Sequence, residues 1–264
     1  MPADKSLPPS PETDVTDDAA LGGRLQLRQP RRGHRFGHDA ILLAAATSAR
    51  AGEHAVDLGA GVGAAGFALA WRVPGLAVTL VEIDPDLVGL AAENARRNGL
   101  ADRVKAIALD VAAPAQAFAA AGLRPGCAAR VLMNPPFNDL QRAQTSPDPR
   151  RRLAHVASRE MVAVWVRTAA RLLAPGGVLT MIWRADGFGD VSVAFTNRLS
   201  LDAILPIYPR PSADPIRIIM RALKSASGRR AFLPGLDLND EKGRPTAEAE
   251  AVLRRGAELP LEPP

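Results

Sequence analysis

The sequence predicts an α/β fold in which a mostly parallel, seven-stranded sheet is covered on both faces by helices and ends in an antiparallel hairpin. Three observations carry this. Short apolar runs, often β-branched, alternate with segments of helical period, which is the pattern of right-handed βαβ units. The first of these runs leads into a glycine-rich turn, Asp57-Leu58-Gly59-Ala60-Gly61-Val62-Gly63. The last two are joined by Pro209-Arg210-Pro211-Ser212-Ala213-Asp214-Pro215, which has no room for a helix.

Taken in order, residues 1–20 are rich in proline and acidic side chains with little to bury, and read as a disordered tail. Residues 21–224 read as one domain, with a segment at 26–50 ahead of its first strand. Strands are expected at 54–58, 77–83, 104–109, 130–133 and 178–183, and helices at 64–71, 86–98, 114–121 and 158–173. Asn98-Gly99 and Pro175-Gly176-Gly177 are helix stops. The runs 202–208 and 216–223 supply the closing hairpin, where a dinucleotide dehydrogenase would more often add a sixth parallel strand. Residues 225–264 read as a C-terminal extension in which 246–255 has the pattern of a short amphipathic helix.

Bulk properties narrow the function classes. A chain of 264 residues, 47% hydrophobic, fits one large domain with tails. No apolar run approaches the ~20 residues of a membrane span. The first twenty residues resemble neither a signal peptide nor a presequence, so the cytoplasm is expected. Cys127 stands alone, which excludes an internal disulfide and a cysteine metal cage; no metal is expected. The net charge of +5 and pI of about 10.1 suit a polyanionic partner. Arginine far outnumbers lysine and alanine is abundant, a bias that a GC-rich genome also produces, so charge permits a nucleic-acid partner without naming it.

The glycine turn follows a strand and opens a helix, where glycine allows positive φ and close approach of a ligand to the backbone. Gly61-x-Gly63-x-x-Gly66 also satisfies the dinucleotide fingerprint. Either cofactor wants an acid at the end of the second strand for its ribose hydroxyls, and Glu82, followed by Ile83, fills that place; such charged hydrogen bonds contribute roughly 1.5–3 kcal/mol. Two features favour S-adenosylmethionine (SAM). Asp57 precedes the first glycine, placed to meet the methionine ammonium directly or through water, and no second domain exists to supply hydride chemistry. Asp110, followed by Val111 at the end of the third strand, is a candidate acceptor for the adenine amino group.

The most informative residues are Asn134-Pro135-Pro136-Phe137, at the end of the fourth strand. Methylating an exocyclic amine requires a delocalised lone pair to become tetrahedral, which acceptors on both amine hydrogens promote. The Asn134 side-chain oxygen and the Pro135 carbonyl are candidates for those acceptors, effective because they are oriented in advance. The prolines restrict φ and hold the loop still. Phe137 is a candidate stacking surface for a base, worth about 1–3 kcal/mol. The pattern points to SAM-dependent N-methyl transfer. Downstream, Arg142, Arg150, Arg151, Arg152 and Arg159 read as a basic loop rimming the site, suited to RNA phosphates. Trp165 and Trp183 read as core packing.

These residues resemble a known family: the bacterial class I SAM-dependent methyltransferases that modify the N6 amine of the adenine beside the anticodon of a valine tRNA. The resemblance covers roughly residues 26–255. It includes the stretch from Gln29-Pro30 through Gly33-His34-Arg35-Phe36 to Asp39-Ala40 and the ending Pro245-Thr246-Ala247-Glu248. It implies a Rossmann-like fold, SAM as cofactor and a tRNA substrate. It also implies that Arg35, Phe36 and Asp39 line the cofactor pocket. His34 departs from the family's usual aromatic hydroxyl, and the proline-rich N-terminus is extra. Because the Asn-Pro-Pro-aromatic motif is shared with enzymes acting on guanine N2, cytosine N4 and the glutamine amide of release factors, those substrates stay open. A non-catalytic SAM-binding module is the reading from a different class.

Overall fold

The structure, a computed structural model, describes residues 14–32, 35–136, 149–195, 198–225 and 230–261, with the backbone alone at 149–158 and 190. Phe137 and Arg142 lie outside the described residues, as do the side chains of Arg150, Arg151 and Arg152.

Strands β1 (Val15–Ala20) and β2 (Leu25–Pro30) form an antiparallel hairpin ahead of helix α1 (His38–Ala46). Then β3 (His54–Leu58), α2 (Ala64–Arg72), β4 (Ala77–Glu82), α3 (Pro85–Arg97), β5 (Val104–Ala108), α4 (Ala115–Ala120), β6 (Ala128–Met133), α5 (Pro149–Leu172) and β7 (Leu173–Arg184) alternate. The chain ends with α6 (Phe188–Ser192), β8 (Ser200–Tyr208), β9 (Arg217–Leu223), β10 (Ala231–Phe232), β11 (Leu236–Asp237) and α7 (Ala247–Arg255). The main sheet runs β10-β8-β9-β7-β6-β3-β4-β5, with β11 also on β8. Strands β3 to β7 are mutually parallel, and β9 is antiparallel to both β7 and β8. The predicted class holds: a mostly parallel sheet with a terminal antiparallel hairpin.

Alternation along the central strands divides the core. In β3, Ala55 faces the side packed by α1, α2 and α3, while Val56 and Leu58 join the side packed by α5. All three are fully buried, as expected of a parallel strand covered on both faces. Local chemistry sets the helix ends. The Asp84 side chain accepts from the Asp86 N–H (2.9 Å) with Pro85 in the first turn of α3, and Thr246 caps α7 through the Ala249 N–H (3.0 Å).

Three expectations are corrected. Residues 15–20 are a strand rather than tail: the backbone pairs with β2, and the acids are held by Arg97 on Asp17 and Arg35 on Asp18. The extension is part of the domain. Its β10 and β11 bring the expected seven strands of the main sheet to nine among the described residues. Leu259 and Leu261 are buried, and the Leu259 N–H donates to the Ala45 carbonyl (2.9 Å). Finally, residues 150–159 continue the helical period into α5 instead of forming a loop. Among the described residues no helix is long and apolar enough to cross a membrane.

Candidate active site

Parallel strands deliver their carboxyl ends to one edge of the sheet, where α/β proteins place their ligands. A cleft of about 860 Å³ opens there. One part is walled by Gly59 and Gly61 after β3, Glu82 and Ile83 at the end of β4, Leu87 of α3, and Asp110 and Val111 after β5. The other is walled by Asn134, Pro135 and Pro136 after β6, Trp165 of α5, Arg184 and Asp186 after β7, and Pro215, Ile216 and Arg217 at the start of β9.

The glycine turn is built for close approach. Gly59 (φ +69°) lies under the Trp165 indole, whose Cη2 would stand 2.3 Å from a Cβ placed there. Gly61 (φ +57°) faces open space and directs its N–H to Glu82 Oε2 (2.8 Å). The other Glu82 oxygen accepts from the N–H groups of Ile83 (2.8 Å) and Asp84 (3.0 Å). Three backbone donors thus fix a carboxylate that is only 8% exposed. Ile83 is 63% exposed and offers an apolar surface beside it. Asp110 Oδ1 accepts from the Ala112 N–H (2.8 Å), and the Val111 carbonyl accepts from Thr168 Oγ1 (2.9 Å), tying α5 to this wall.

Asp57 is 2% exposed and accepts from the Gly66 N–H (2.9 Å) in the first turns of α2. Burial raises its carboxyl from 3.8 to about 7, against the Gly66 bond and with the charge of Glu82 adding to the rise. A carboxyl raised by folding stabilises the fold fully below its unfolded value, and that contribution is lost as pH climbs from about 4 to about 7. Asp57→Asn is therefore expected to gain stability relative to the parent across that window, with little difference at pH 4 and a clear advantage at pH 8. Urea denaturation at both pH values measures it; a gap independent of pH rules the explanation out.

The segment ahead of the domain is held by a polar network. Arg35 donates to Asp18 Oδ2 (2.8 Å), Thr16 Oγ1 (2.8 Å) and the Pro30 carbonyl (3.0 Å), while buried Gln29 accepts from the Phe36 N–H (3.0 Å) and donates to Asp18 (3.0 Å). Asp18 is held below the usual carboxylate range by Thr16 first, then Gln29 and Arg35. Asp39 pairs with Arg217 (2.8 Å) and so reaches the cleft wall through it. The structure therefore gathers Gly59, Gly61, Glu82, Ile83, Asp110, Val111, Asn134, Pro135 and Pro136 around the cleft. Gly63 is the N-cap of α2, where a Cβ would collide with Phe67 and Leu80, and Arg35 and Phe36 sit in the hairpin network outside the cleft lining.

In the cleft wall, the Asn134 side-chain oxygen is buried and, among the described residues, has no hydrogen-bond partner. An unpaired buried acceptor costs about 1–3 kcal/mol, and a donor brought to it would recover that cost. The residues fit SAM: a glycine turn open to a ligand, a fixed carboxylate beside an apolar surface, and a cleft with space for a cofactor and a flat substrate. Sequence reading missed Trp165, which was expected in the core, and the group Arg184, Asp186, Pro215, Ile216 and Arg217. Trp183, by contrast, is in the core at 5% exposure.

Comparison with known proteins agrees with this geometry. The model of the methyltransferase small domain matches residues 36–188. A tRNA1(Val) (adenine(37)-N6)-methyltransferase of Porphyromonas gingivalis is 28% identical over 227 residues, covering 83% of this chain and 87% of that protein. A release factor glutamine methyltransferase of Chlorobaculum tepidum is 29% identical over 142 residues, covering 52% and 47%. Among solved structures, a predicted O-methyltransferase of Agrobacterium tumefaciens, Atu636, superposes with a TM-score of 0.71 at 27% identity, over 84% of this chain and 98% of that one. The chain belongs to the methyltransferase small domain family, and it is a SAM-dependent methyltransferase.

Proposed function

We propose that this enzyme methylates the N6 amine of an adenine in RNA, by the same chemistry as its tRNA-modifying relatives. The buried Asn134 oxygen in the cleft wall, without a partner among the described residues, carries the reading. It accepts one hydrogen of the substrate amine, and the Pro135 carbonyl accepts the other, so that positive charge developing on nitrogen meets oriented dipoles. Phe137 stacks on the base. Glu82 holds the cofactor's ribose, Ile83 and Val111 flank its adenine, and Asp110 accepts from the adenine amine. The backbone at Gly59 and Gly61 gives it room, with Gly63 setting the turn. Asp57, buried and bonded to the Gly66 N–H, holds the glycine turn against α2, Asp39 acts on the cleft through Arg217, and Arg35 and Phe36 hold the hairpin outside the cleft lining. Bound there, SAM supplies an electrophilic sulfonium methyl. The amine proton becomes acidic on transfer, so no strong base is required of the chain.

Relatives at 28–30% identity named as tRNA adenine-N6 methyltransferases support RNA as the substrate, as do the net charge of +5 and the arginines Arg142, Arg150, Arg151 and Arg152 near the motif. The glutamine amide of a release factor is the second reading, favoured by the likeness to an enzyme of that name. The test offers labelled SAM with unmodified tRNA, ribosomal RNA, DNA and a release factor in parallel. Label in tRNA, diminishing steeply with salt, is expected; label in the release factor alone overturns the reading.

A further inference from the structure

We propose that Arg184 and Arg217 form a clamp for a backbone phosphate of the substrate RNA, with Asp186 as the internal anion that this phosphate displaces. The inference rests on the RNA reading above and deepens it. Arg184 ends β7 and Arg217 begins β9, and the two are direct partners in antiparallel register. Side chains opposed in this way leave the sheet on one face, and like charges so placed are destabilising. Both line the same part of the cleft as Asn134 and Pro135. Their side chains are only 23% and 27% exposed, so each charge is partly removed from water.

Two carboxylates that meet them among the described residues differ in kind. Asp39 reaches Arg217 from α1, is 24% exposed and is part of the packed domain. Asp186 lies in the short turn Ala185–Gly187 and is 60% exposed. It takes Nε of Arg184 (2.9 Å) and Nη2 of the same side chain, one on each carboxylate oxygen. That two-pronged geometry is how a guanidinium holds a phosphate. The Asp186 carboxyl is held low, by the Arg184 bond first and then by the charges of Arg184 and Arg217, which places both cations in its field. Asp186 therefore occupies an anion site from an exposed turn, whereas Asp39 holds the clamp from α1.

The roles demand opposite signs. Binding of an unmodified tRNA transcript to the full chain, saturated with S-adenosylhomocysteine, is measured between 50 and 200 mM salt. Arg184→Gln is expected to weaken binding roughly tenfold and lower the slope of log affinity against log salt by about 1. Arg184→Lys keeps the slope. Asp186→Ala is expected to tighten binding several-fold. Cofactor affinity within a few-fold of the parent, by calorimetry, shows that each variant is folded. Arg184→Gln weakening without a change of slope, or Asp186→Ala weakening binding in parallel, overturns the clamp, as does the absence of RNA binding by the parent. Methyl transfer is read separately on the same samples: slopes as expected with no methyl on adenine support the clamp and defeat the adenine reading.

Discussion

Asn134→Ala is expected to lower kcat by about 10²–10³-fold while leaving SAM affinity within a few-fold, because an oriented acceptor for developing charge is removed from the substrate part of the cleft. The asymmetry is the informative part. The Asn134 oxygen is buried without a partner among the described residues, so its deletion strands none of them and relieves an existing cost. The variant should be as stable as the parent or slightly more so, a combination that a merely structural asparagine would not give. Single-turnover transfer and equilibrium binding of SAM, made on one preparation, separate the two effects. Equal loss of binding and transfer would remove Asn134 from its assigned role.

Gly59→Ala is expected to destabilise the fold and to weaken SAM binding together. Two penalties coincide at this position. The residue has φ +69°, costing roughly 1 kcal/mol or more for a side chain, and its new Cβ would stand 2.3 Å from Trp165 Cη2, an overlap worth about 1–3 kcal/mol in packed surroundings. Only the second penalty involves Trp165. Trp165→Leu is therefore expected to rescue part of the Gly59→Ala loss, leaving the backbone part behind. Thermal and urea melts of the two single variants and the double variant measure the coupling. Additive losses would show that the indole does not set the limit at Gly59.

Much of this architecture was legible because strands buried on both faces are short, nearly continuous apolar runs bounded by turn residues. Residues 54–58 are read as a strand to the residue, since an apolar run that meets a glycine turn leaves little choice of ends. The β1–β2 hairpin was not legible: its acids look like a tail until Arg35 and Arg97 are brought alongside by the fold. Strands β10 and β11 are two residues each, too short for any period to show.

The cleft divides in the same way. The wall built after β3, β4 and β5 follows a strand-turn grammar, so Gly59, Gly61, Glu82 and Asp110 stand out from spacing alone. The opposite wall is assembled by the order β6-β7-β9 from residues far apart in the chain. Arg184 looks like the polar end of a strand and Arg217 like a turn residue, and only their register makes them a pair. Trp165 falls in a helical stretch with apolar neighbours, where nothing local distinguishes a residue facing the core from one facing Gly59.

The central claim is methyl transfer to a planar amine held at Asn134, and mass spectrometry of nucleosides from RNA treated with the enzyme and SAM tests it most directly. The account predicts one new nucleoside, N6-methyladenosine, formed by the parent and absent with Asn134→Ala. A methyl group found instead on a ribose oxygen or a ring carbon, or N6-methyladenosine formed equally well without Asn134, would contradict it.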